Sequence, residues 1–154
     1  MRLASLAVLA TAALSFSPSA RAEHARMRSI VEESVRLQEA RAADLERVAA
    51  ADLKESRELR EAARARVQAA ESLEAQADEM HAAASQASDP GDRRMLEEFS
   101  REMRQFATAD REFAEQRHSA ATILERQARE AEAGARHCRE HIGRIRAHFV
   151  RWYR

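Results

Sequence analysis

The residues best suited to chemistry lie between Arg136 and Arg154. His137 and His141 stand four apart and His148 seven further on. At 100° per residue the three fall within about 40° of one another on one helical stripe. An H-x-x-x-H pair on a single face can chelate zinc, copper or nickel, because both imidazoles point the same way one turn apart. The same segment holds Arg136, Arg139, Arg144, Arg146, Arg151 and Arg154 against a single acid, Glu140, and ends in Trp152 and Tyr153. A basic amphipathic end with aromatics suits an anionic lipid surface or an acidic protein partner. The same residues also fit a purely structural role, with arginines on a helix C-terminal dipole and aromatics closing a bundle.

Other spacings carry less. Glu115-x-x-His118 has the di-iron bundle spacing, but it occurs once where two copies are needed. Cys138 is the only cysteine, so no internal disulfide forms. It reads as a small buried hydrophobe, with an intermolecular bridge as the alternative. His137-Cys138-Arg139-Glu140-His141 lies where periplasmic c-prime-type cytochromes carry C-x-x-C-H, yet it matches neither cysteine. Met27 and His148 resemble the methionine and histidine ligands of small b-type four-helix cytochromes. That resemblance covers two residues and implies a haem between them. The expectation is therefore no cofactor, with zinc, copper or nickel at His137, His141 and His148 as the alternative, followed by haem.

No nucleophile with a nearby base, no glycine-rich phosphate loop and no paired-acid pocket emerges, so no enzyme is expected. The 26 basic and 26 acidic residues balance, which argues against nucleic acid as a partner.

The elements that position these residues follow from composition. Alanine, arginine and glutamate dominate, glycine appears three times and proline twice, and no stretch alternates as a strand would. The chain reads as all-α. Ser88-Asp89-Pro90-Gly91-Asp92 is the one strong breaker after the N-terminal stretch. A helix over 23–88, a turn at 88–92 and a helix over 92–152 make a long antiparallel hairpin within one domain, 23–154. A single-chain up-down four-helix bundle is the alternative, with extra loops near Lys54–Ser56 and Ala121–Thr122.

The first helix carries a stripe through Leu45, Ala49, Asp52, Ser56, Leu59, Ala63, Arg66, Ala70, Leu73, Ala77, Met80, Ala84 and Ala87. The second carries Leu96, Phe99, Met103, Phe106, Asp110, Phe113, Arg117, Ala120 and Leu124. After a double four-residue step, a stutter, it continues through Ala128, Ala131, Ala135, Cys138, Ile142, Ile145, Phe149 and Trp152. Folding about Pro90 places residues whose numbers sum to about 180 side by side, so Arg66 and Asp110 are predicted to pair and fix the register. A two-helix hairpin has a thin core, which favours a homodimeric four-helix bundle.

Met1–Ala22 reads as a signal peptide: Arg2, an apolar run over Leu3–Leu14, and Ala20-Arg21-Ala22 as the cleavage site. The expected address is periplasmic or secreted. The expected function is that of an exported helical interaction or structural protein, with its basic end as the contact surface and metal or haem binding as the alternative.

Overall fold

The computed structural model describes residues 18–152, and their side chains from 22 to 150. Helix α1 spans Pro18–Gln86 and helix α2 spans Pro90–Trp152, packed antiparallel along their lengths. Among the described residues there is no strand. Both helices pass unbroken through Lys54–Ser56 and Ala121–Thr122, so the single-chain up-down bundle is not the fold. Most of the expected leader lies outside the described residues, and α1 begins within it, at Pro18.

The corner is built by Asp89. Its carboxylate accepts from the backbone N–H of Gly91 at 2.8 Å and of Asp92 at 3.0 Å, satisfying donors that the first turn of α2 leaves unpaired. Pro90 takes the first helical position, where its fixed φ is helical and its missing N–H costs nothing. Arg93 closes the corner from above, donating to the carbonyl of Ala87 at 2.9 Å.

Contact between the helices follows a strict seven-residue period. On α1 the buried row is Val35, Ala42, Ala49, Ser56, Ala63, Ala70, Ala77 and Ala84. On α2 it is Ser100, Ala107, Ala114, Ala121, Ala128, Ala135 and Ile142. Calling these rows heptad position a, the half-buried residues Leu45, Leu59 and Leu73 on α1 and Leu96, Met103 and Leu124 on α2 occupy position d. Alanine against alanine lets the helix axes approach closely, because axial separation is set by the side chains at the contact. The Ser100 hydroxyl uses that closeness to reach the Ala77 carbonyl of the other helix at 2.8 Å. Gly134 does the same in reverse: a Cβ there would stand 3.1 Å from a methyl of Leu45.

This row corrects the expected stripe in the first half of α2. Phe99, Phe106 and Phe113 stand one residue before Ser100, Ala107 and Ala114, and they lie outside the seam, with Phe106 62% exposed. An alanine seam is too narrow to take a phenylalanine, so the small residue of each pair goes inward. The α2 heptad then runs without a stutter from Ser100 to Ile142.

The two flanks of the seam differ. Antiparallel helices set e against e and g against g. Along the e flank, Glu39–Arg146 (2.7 Å), Arg60–Glu125 (2.8 Å) and Glu74–Arg111 (2.5 Å) join the helices, together with Glu46–Arg139. Across the g flank no such row of ion pairs joins the helices among the described residues, and apolar side chains stand exposed there. Apart from Val67 and Val150, the exposed large apolar side chains among the described residues occupy positions g and c: Met27, Ile30, Leu37 and Val48 on α1, and Met95, Phe99, Phe106, Phe113 and Ile123 on α2.

Candidate interaction site at the open end of the hairpin

The end away from the corner joins the start of α1 to the end of α2. There Met27 and Val31 of α1 meet His141, Arg144, Ile145, His148 and Phe149 of α2 around an open, mainly apolar cleft of about 720 Å³. The two helices reach this end with fewer seam alanines. Ile142 fills the place that alanine holds further down, and the larger side chains leave a groove between the axes.

The arginines of this end divide into two groups. Arg146 binds Glu39 at 2.7 Å and Arg139 binds Glu46, both at position e, so their charge is partly neutralised across the seam. A count of arginines against Glu140 within the segment misses this, because the partners lie on α1 in the e-to-e register. Arg136 and Arg144 are exposed, and no ion pair joins either to a described carboxylate. The helix continues through Arg151 and Trp152, while Tyr153 and Arg154 lie outside the described residues.

The histidines share one edge of α2 without closing into one cluster. His141 and His148 line the cleft, and His137 is exposed a turn before them. Among the described residues no three His, Cys, Asp or Glu side chains come together as a metal-binding group. The fold brings Met27 and His148 to the same cleft, as the hairpin expectation requires. Cys138 is a free, buried thiol in a small cluster with Ala42, Ala135 and Leu45. Glu115 and His118 lie elsewhere, on a shallow groove midway along the e flank with Glu71 and Val67.

One polar constellation gave no signal in the apolar periodicity. Ser56, buried in the alanine row, donates to Glu125 at 3.1 Å, and Arg60 grips both oxygens of that carboxylate at 2.8 and 3.0 Å. The hydrogen bonds from Arg60, then from Ser56, hold the Glu125 carboxyl below its usual range, against a smaller opposing effect of desolvation. The signal available was register: once the e-to-e pairing is fixed, positions 60 and 125 must meet.

The fold and these surfaces define a two-helix antiparallel coiled coil with an alanine seam. No protein-family model matches the chain, and neither a curated protein nor a solved structure does. Among the described residues no helix is long and apolar enough to cross a membrane.

Proposed function

We propose that this chain is an exported, non-enzymatic interaction protein, a self-associating helical rod whose basic open end contacts an anionic envelope surface. The observation that supports the contact is the cleft of Met27, Val31, Ile145 and Phe149 with Arg144 on its rim, while Arg136 is exposed on the other flank of the same basic end. An apolar cleft edged by an arginine matches the two parts of an anionic amphiphile: the cleft takes hydrocarbon and Arg144 takes phosphate or carboxylate. Self-association into a four-helix bundle is supported by the exposed phenylalanines of the g flank, which the hairpin itself leaves wet.

Flotation of the full chain with vesicles tests this. Binding is expected to phosphatidylglycerol vesicles and not to phosphatidylcholine, to weaken with added salt, and to disappear in an Arg136→Glu/Arg144→Glu variant. Equal binding to both vesicle types, or none, overturns the reading.

A second reading has one observation in its favour. Met27 and His148 line the same cleft, where a thioether and an imidazole would hold a haem. A Soret band on the purified protein, lost in Met27→Ala and His148→Ala, decides for it.

A further inference from the structure

We infer that a second copy of this chain docks on the g flank of the corner half, antiparallel to the first, about a two-fold axis at Phe106. This rests on the self-association proposed above and gives it a surface and a symmetry. Phe106 is 62% exposed and Phe99 46%, although each sits beside a buried seam residue. Phe113 is more covered, flanked by the guanidinium groups of Arg117 at 4.4 Å and Arg66 at 5.1 Å. Opposite them, α1 offers Ala69 and Ala83 on either side of Gln76, so the phenylalanines stand proud of the alanines that flank one amide. Such a ridge beside small residues suits a partner with the same arrangement.

Charge chooses the orientation. A parallel pair, corner beside corner over the whole length, sets Glu102 against the partner's Glu79 and gathers Glu55, Glu58 and Glu130 of both copies at mid-rod. Like charges facing one another in this way disfavour it. The antiparallel pair overlaps only the corner halves. Phe106 meets its own copy, Phe99 meets the partner's Phe113, and on α1 Ala69 and Ala83 pack on either side of Gln76. An overlap over 92–120 is about 42 Å long. Across a two-helix width of roughly 15 Å it covers roughly 600 Å² per copy, the lower bound of a stable interface. Both basic ends then point outward from the joint.

Sedimentation and cross-linking test this on the full chain. Wild type is expected to be a dimer at low micromolar concentration. Phe106→Glu is expected to raise the dissociation constant about thirtyfold or more with helicity unchanged, since the side chain is exposed in the hairpin. In a Cys138→Ala background, Phe106→Cys alone is expected to oxidise to a linked dimer. A dimer that Phe106→Glu leaves intact overturns the docking surface while self-association stands. A dimer that Phe106→Cys does not link overturns the symmetry. A monomeric wild type overturns both proposals of pairing without touching the basic end. A monomer whose vesicle binding is lost in Phe106→Glu gives this flank to lipid instead.

Discussion

Arg66 of α1 donates to Asp110 of α2 at 2.7 Å, joining the two helices where both d rows carry a charge in place of a leucine. Asp110 is the more buried partner, with its side chain 18% exposed, and Arg66 is half exposed and also faces the ring of Phe113. A pair of this kind fixes which residue meets which, and contributes little net stability. Replacing both by leucine is therefore expected to raise the melting temperature, while Asp110→Ala alone lowers stability by about 1–2 kcal/mol by leaving Arg66 without its carboxylate. Thermal melts of Asp110→Ala and of the double leucine variant check the sign of each.

The alanine seam sets a size limit. Ala114 is buried directly between the axes, and Leu there must force the helices apart or leave its rotamer. Ala114→Leu is expected to destabilise by about 1–3 kcal/mol. Val67→Leu, outside the seam and on the other flank, is expected to leave the stability of the hairpin within about 0.5 kcal/mol of wild type. Equal effects at the two positions would show that the row is not where the helices touch.

Much of this was legible beforehand, for a physical reason. On α1 the alanines and leucines alternate in one phase, so apolar spacing and burial coincide from Leu45 to Ala87. On α2 two phases compete, Phe99–Phe106–Phe113 and Ser100–Ala107–Ala114, and ranking by hydrophobicity favours the phenylalanines. The facing helix decides otherwise: it presents serine and alanine, and two small rows meet at a spacing no aromatic fits. The unbroken period from Ser100 to Ala135 was the available sign, since it needs no stutter. The open-end cleft was legible only as a co-location of Met27 with His148. The neutralisation of Arg139 and Arg146 depends on flank register, which apolar periodicity does not report.

The corner makes a sharper test of local chemistry. Asp89 accepts two backbone N–H groups, at 2.8 and 3.0 Å, and among the described residues no other side chain caps the start of α2. Asp89→Ala is expected to lower stability by about 1 kcal/mol, and Asp89→Asn or Asp89→Ser to restore most of it. Denaturant titration of the three variants is the measurement; a neutral Asp89→Ala would mean that Pro90 alone sets the helix start.

Glu125 links stability to pH. Its carboxyl is held below the ordinary value of 4.5 by Arg60 and Ser56 in the folded chain, and it returns to that value on unfolding. A depressed folded pKa means that the unfolded state binds the proton more readily. The stabilisation is thus complete above pH 4.5 and is lost as pH falls through that value toward the folded pKa. Glu125→Gln keeps an acceptor for Ser56 but carries no proton-linked charge. Its melting temperature is expected to lie below wild type at pH 7 and to change less between pH 5 and about pH 3, so that the two curves converge in acid. Circular dichroism melts across that range, run alongside Ser56→Ala, separate the charge on Glu125 from the buried hydroxyl. Parallel curves for wild type and Glu125→Gln would remove the link between this seam contact and acid stability.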